Sequence, residues 1–343
     1  MPEKRRHYVL RLHNCQVGLL GTVQRLLLKQ AVARGPMVGT VEIMRISQKN
    51  LMPTLKQLRG HLKATSLIWM HIFGVPVPKG LIIADWSSAS ARTFDTFCAK
   101  NKFTQVLLRI DKHDQRWTNR RGGYLLPLDQ VESMVRELRR RETLAITLEP
   151  ISPYCDKYSL AAVVEPDENS MTIEVVGPGF DASDLLRSDI QPHQLLVATG
   201  PPGDSANLKV RCTHMVDTKV YQATVENRLV KIGARLKNPA FPRSMRQASQ
   251  SDRASLRRDA ISYLKRTKQL LLLRHRDNFV PIPESYVSRF VSGVNRVLAG
   301  LPNYGIYLGP TSFAASFTAT GRLVFWDFFP ARTRDAEALF LGK

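Results

Sequence analysis

Gly74-Val75-Pro76-Val77-Pro78-Lys79-Gly80-Leu81-Ile82-Ile83-Ala84 is the stretch that decides how this chain folds. Its two prolines fix φ and hold the residues before them extended, so 74–80 reads as a connector and not a helix. The apolar run Leu81 to Ala84 reads as a buried strand. Upstream, Leu55, Leu58, Leu62 and Leu67 recur at helical spacing, which predicts a helix from Met52 to Phe73 stopped by Gly74. Downstream, the pattern predicts a helix over 90–100, a strand over 106–110, a polar loop from Asp111 to Gly123 and an extended run over 125–128. A charged helix over 128–141 and strands over 144–148, 159–165 and 171–176 follow. This order of elements predicts an α/β (α+β) fold.

Residues 8–13 and 38–46 read as strands and 22–33 as a helix. Asp181 or Ser183 is placed to cap a short helix. Residues 199–207 are turn-rich and suit an internal boundary, and 243–252 is a polar loop. Helices are expected over 252–273 and 285–299, and a terminal hairpin over 313–318 and 322–328.

Apolar residues make up 43% of the 343 and charged residues 23%, enough for a sizeable core. No apolar run reaches the ~18 residues that span a bilayer, and no signal-peptide pattern opens the chain, so a cytoplasmic protein is expected. Cys15, Cys98, Cys155 and Cys212 are scattered without CxxC or Cys/His ligand spacing, which argues against a disulfide scaffold or structural zinc. The net charge of +21 is segregated. Residues 1–63 hold 12 Lys/Arg against two acids, residues 228–276 hold 14 against two, and 64–227 is nearly neutral. Two basic blocks suit a polyanionic partner, although a solvated basic face gives the same pattern.

Three features could carry chemistry. Arg109 ends a strand and is followed by Arg120-Arg121-Gly122-Gly123, which places cations beside backbone N–H groups that can approach phosphate closely; a plain hairpin turn is the alternative. There is no GxxxxGK[ST] and no GxGxxG. Glu149, in Leu148-Glu149-Pro150, stands at a strand end where it could bond a ribose hydroxyl or adenine amine, or simply face solvent. Asp327 stands alone in Leu323-Val324-Phe325-Trp326-Asp327-Phe328-Phe329, and alternation puts it on the opposite face from Trp326 and Phe328. A carboxylate among aromatics needs a cation or a metal. Mg²⁺ on nucleotide phosphates would suit it, as would pairing to Arg322, Arg332 or Arg334.

In this order the features resemble the ATP-grasp superfamily. Leu58 to Ile110 is similar to its first nucleotide-binding lobe, Arg121-Gly122-Gly123 to its glycine loop, and Leu148-Glu149-Pro150 with Ser159 to Val163 to its hinge. The hairpin ending at Asp327 is similar to its metal strand. The resemblance implies two α+β lobes clasping a nucleotide: an N-terminal α/β segment over 1–54, a first lobe over 55–148, and a second lobe over 149–343 that carries the basic insertion and the hairpin. It implies ATP and Mg²⁺ as cofactors and activation of a carboxylate as an acyl phosphate for attack by an amine or thiol. Arg109, Arg121, Gly122 and Gly123 would hold phosphates, Glu149 the nucleoside and Asp327 the metal. Arg243 or Arg246 would neutralise charge on the transferred phosphoryl group. The partners implied are a nucleotide and an anionic small-molecule or peptide substrate.

The family's second acid is absent from Phe313-Ala314-Ala315-Ser316-Phe317, and Phe328-Phe329 stands where acid-x-Asn is usual. Asp181 and Asp184 could supply the missing acids. Asp111, His113 and Asp114 could form a metal cluster, or only a polar loop. The competing class is a non-catalytic binder of nucleic acid through 1–63 and 228–276, with Arg253, Arg257, Arg258, Lys265, Arg266 and Lys268 on one helix. That helix lacks aromatic anchors for a membrane surface.

Overall fold

The computed structural model describes residues 40–58, 60–112, 124–139, 143–151, 156–165, 170–186, 190–200, 209–237, 250–330 and 339. The expectations for residues 1–37, for the glycine loop, and for Arg243, Arg246, His113 and Asp114 lie outside them. Eleven strands and nine helices are described: β1 (Thr40–Glu42), α1 (Gln48–Gln57), α2 (Leu62–Ile72), β2 (Gly80–Ile83), α3 (Ser88–Asn101), β3 (Gln105–Lys112), β4 (Tyr124–Pro127), α4 (Val131–Arg139), β5 (Thr143–Leu148), β6 (Asp156–Glu165), β7 (Ser170–Val176), α5 (Ala182–Leu186), β8 (Gln194–Thr199), β9 (Lys209–Met215), α6 (Thr218–Lys237), α7 (Gln250–Arg266), α8 (Leu271–Arg274), α9 (Glu284–Gly300), β10 (Thr311–Thr318) and β11 (Leu323–Pro330).

The strands form two antiparallel sheets, one of five in the order β1-β2-β5-β3-β4 and one of six in the order β11-β10-β6-β7-β8-β9. The fold is therefore α+β. β1 pairs with β2, so Thr40–Glu42 belongs to the same sheet as the strands between 80 and 148.

Alternation divides the side chains of the five-stranded sheet. Leu81, Ile83, Val106, Leu108 and Ala145 pack with Phe94 and Phe97 of α3 and Val131 and Val135 of α4. Ile82, Leu107, Leu144, Ile146 and Leu148 turn the other way and join a large core. That core also takes α2, α9 and one face of the six-stranded sheet, through Leu160, Ala162, Ile173, Phe313 and Phe325. The opposite face of the six-stranded sheet, at Ala161, Val176 and Ala314, lies under Phe180 and under α6 to α8.

Several expected boundaries shift for local reasons. The helix expected over 52–73 is two helices, because Gly60 takes φ +91° and breaks the run after Leu58. The helix expected over 252–273 ends at Arg266. Lys268 takes φ +57° there, and the Gln269 N–H donates to Leu264 O at 2.9 Å, a Schellman-type stop. The turn-rich 199–207 is no boundary: it joins β8 to β9, which pair as neighbours. β8, β9 and α6 had no clear sequence signal. β9 is half-buried or exposed at every residue, so it has no apolar face to betray it.

Candidate functional site

Arg109 lies on β3, opposite Ile146 of β5, on the face that Leu107 turns to the large core. It reaches across to the other sheet. Its Nη1 donates to the carbonyl of Trp326 at 3.0 Å, and its Nη2 meets Asp327 Oδ2 at 2.5 Å. The side chains are 13% and 7% exposed, so this is an ion pair largely removed from water. Two residues 218 positions apart in the chain, both singled out from sequence, thus tie the two sheets together.

The hairpin explains how. Ala314 pairs with Asp327 and Ala315 with Phe325, so Trp326 is an extra residue in β11, a β-bulge. Strict alternation, expected through this run, fails there. A bulge turns one peptide out of the ladder, and here it is the Trp326 carbonyl that Arg109 finds. The Trp326 indole N–H donates to Ser316 Oγ at 3.0 Å and anchors the bulge from β10.

Asp327 Oδ1 is buried and has no hydrogen-bond partner. Register aligns Asp327, Ala314, Ala161 and Glu174 across four strands on one face of the sheet. Two alanines therefore separate Asp327 from the acid of β7. Among the described residues no group of three or more His, Cys, Asp or Glu could hold a metal ion. Asp327 offers a single carboxylate with one open oxygen, which fits a Mg²⁺ ion held chiefly by phosphates and water.

Glu149, at the end of β5, does not face solvent. It is 9% exposed, its Oε1 accepts from Lys79 N at 3.2 Å, and Arg322 Nη2 lies 2.9 Å from the same oxygen. It is a second tie between the five-stranded sheet and the β10–β11 hairpin. The prolyl connector makes a third: Phe325 N donates to Pro76 O at 2.8 Å along the outer edge of β11.

Other candidate acids are engaged elsewhere. Asp111 is fully buried and accepts from Ala64 N at 2.9 Å, capping α2 from outside. Asp181 and Asp184 cap α5 reciprocally, with bonds of 3.2 and 3.1 Å to each other's N–H, and Arg228 Nη1 lies 3.2 Å from Asp184. Part of the basic block is likewise committed. Arg228 is buried, Arg257 meets Glu226 at 2.7 Å and Arg253 donates to Asn227 at 2.6 Å, whereas Arg258, Lys265, Arg266 and Lys268 are exposed. Among the described residues no helix is long and apolar enough to cross a membrane. Cys98 is a buried free thiol, pushed up to about 11 by burial first and by Asp95 second, whereas Cys212 is exposed.

Sequence reasoning missed Asp156. It opens β6 with 2% exposure, and its Oδ1 has no partner. Burial drives its carboxyl well above the usual range; a hydrogen bond from Ser316 opposes this, the charge of Asp181 adds to it, and Ser159 opposes it. No signal separates this acid from a loop residue in the sequence.

No protein-family model matches the chain, and no curated protein matches it. Among solved structures it is similar to the ATP-grasp ligase PsnB complexed with a minimal precursor, at 10% identity and a TM-score of 0.32 over 82% of this chain and 55% of that one. It is similar to D-alanyl-alanine synthetase A from Vibrio cholerae at 9% identity and TM-score 0.37, over 80% of this chain and 56% of that one. For D-cycloserine synthetase DcsG the values are 13% and 0.36, over 84% and 72%. The chain spans a little over half the length of the first two. Overlaps this loose fix no residue correspondence and carry no weight for its chemistry.

Proposed function

We propose that the chain binds ATP with Mg²⁺ between its two sheets, in the manner of an ATP-grasp ligase, and activates a carboxylate as an acyl phosphate for capture by an amine or thiol. One observation carries this reading: Arg109 and Asp327, on different sheets, converge at one buried point. A cation there suits phosphate, and a carboxylate beside it suits the metal that phosphates carry.

Arg109 would hold the phosphates, with its guanidinium oriented by the Trp326 carbonyl. Asp327 would hold Mg²⁺, which when bound would neutralise phosphate charge. Glu149 stands at the end of β5, where the chain passes from one sheet to the other, and would orient the nucleoside. Arg121, Gly122 and Gly123 would close over the phosphates, and Arg243 or Arg246 would face the transferred group. The carboxylate substrate, a small molecule or a peptide, would enter the same cleft. The lobes over 55–148 and 149–343 would be the two halves of the clasp.

The test is a thermal-shift series with ATP, ADP, GTP and AMP, each with and without Mg²⁺. ATP with Mg²⁺ should raise the melting temperature, and Arg109→Ala should remove the shift. Asp327→Asn should remove the metal-dependent part. Absence of a shift with every nucleotide would sink the reading.

A further inference from the structure

The Arg109–Asp327 pair has a consequence for ligand binding. Arg109 directs one nitrogen to a backbone carbonyl, which is uncharged and stays in place, and another to Asp327, which is an anion. Asp327 spends one oxygen on Arg109 and leaves the other buried and unpartnered. A buried carboxylate satisfied on one side only is held by its cation, because the alternative is an isolated charge out of water. An incoming phosphate therefore finds the charge of Arg109 already matched by Asp327.

We propose that Asp327 is an internal anion that occupies Arg109 in the ligand-free protein and must be exchanged for the phosphates of the ligand. This rests on the reading of the cleft as a nucleotide site and describes how that site is regulated. The exchange makes the two ligands help each other. Phosphate on Arg109 releases Asp327 with both oxygens open to a divalent cation, and a cation on Asp327 releases Arg109 to phosphate. Anion without metal leaves Asp327 uncompensated, so metal-free nucleotide binds weakly. The Trp326 carbonyl keeps the guanidinium in place through the exchange.

Isothermal titration of the whole chain with metal-free ATP and with inorganic tripolyphosphate, in EDTA, tests this. Asp327→Asn removes the competing charge and keeps the shape. It should bind both metal-free probes roughly tenfold more tightly than the unaltered chain, the gain expected when an occupied site becomes free. Mg²⁺ should tighten ATP binding strongly in the unaltered chain and little in the variant. Asp327→Ser, measured in parallel with a circular-dichroism check of folding, should show the same gain and serves if the amide variant does not fold. Unchanged or weaker metal-free binding in a folded variant, with Mg²⁺-ATP binding intact in the unaltered chain, overturns the exchange but leaves the nucleotide site standing. Failure of the unaltered chain to bind ATP with Mg²⁺ removes both.

Discussion

Asp156 makes the stability of the fold depend on pH above the carboxylate range. Its carboxyl is buried, and its hydroxyl neighbours are already busy: Ser159 Oγ bonds Phe180 O at 2.9 Å and lies 2.9 Å from Ser316 Oγ. The folded state holds the Asp156 proton more tightly than the unfolded chain does. Below the ordinary carboxylate pKa both states are protonated and the group is neutral in its effect. As pH rises towards the raised folded value the unfolded chain ionises first, and stability falls. Asp156→Asn should therefore raise the melting temperature at pH 8 and change it much less at pH 4. An equal change at both pH values would show that the folded carboxyl is ionised. Asp327 and Arg109 were legible in the sequence, because a charge inside an apolar run must have a purpose. Asp156 was not. It opens a strand, and its burial at 2% exposure comes from tertiary packing that no local pattern announces.

At the scale of elements, the basic block turns out to be chiefly a helix pair. α6 and α7 cross so closely that a Cβ on Gly233 would stand 1.9 Å from Leu256 O, a backbone atom that cannot step aside. Gly233→Ala should destabilise the protein by about 3 kcal/mol, the upper end of overpacking costs. Urea unfolding would read this, and a loss under 0.5 kcal/mol would mean that the helices part freely. The 14 cations of this block suggested a surface for a polyanion, yet Arg228, Arg253 and Arg257 fasten helices to each other and to the loop before α5. Charge counting reads a segment's composition and not its partners, so it could not separate these from the exposed Arg258, Lys265 and Arg266. The connector, the hairpin and the strands of the five-stranded sheet were legible because prolines, glycines and short apolar runs leave few alternatives. The breaks within the two long helices were harder. Gly60 is an ordinary stop signal outweighed by the leucine spacing around it, and Lys268 adopts a backbone conformation unusual for lysine.

Over the whole molecule, the two sheets are joined by contacts of unequal value. Arg322 in the Glu149 pair is about half exposed, whereas both members of the Arg109 pair are nearly buried. Removing the first pair should cost under ~1 kcal/mol. Breaking the second by Arg109→Met alone should cost about 3 kcal/mol, because Asp327 is then left charged and alone. The double change Arg109→Met with Asp327→Leu should recover most of that loss. Chemical denaturation of these two variants and of Asp327→Leu alone completes the cycle, and additive losses would contradict the isolation of the pair. The prolyl connector has a consequence of a different kind. By taking the Phe325 N–H it occupies one margin of the six-stranded sheet, while the opposite margin, β9, presents Lys209, Arg211 and an irregular step near Thr213. Linear polymerisation through a sheet needs two complementary, open margins on every copy. Here one is bonded to the connector at Phe325 and the other is charged and kinked, so the two margins are poorly matched for adding copies edge to edge.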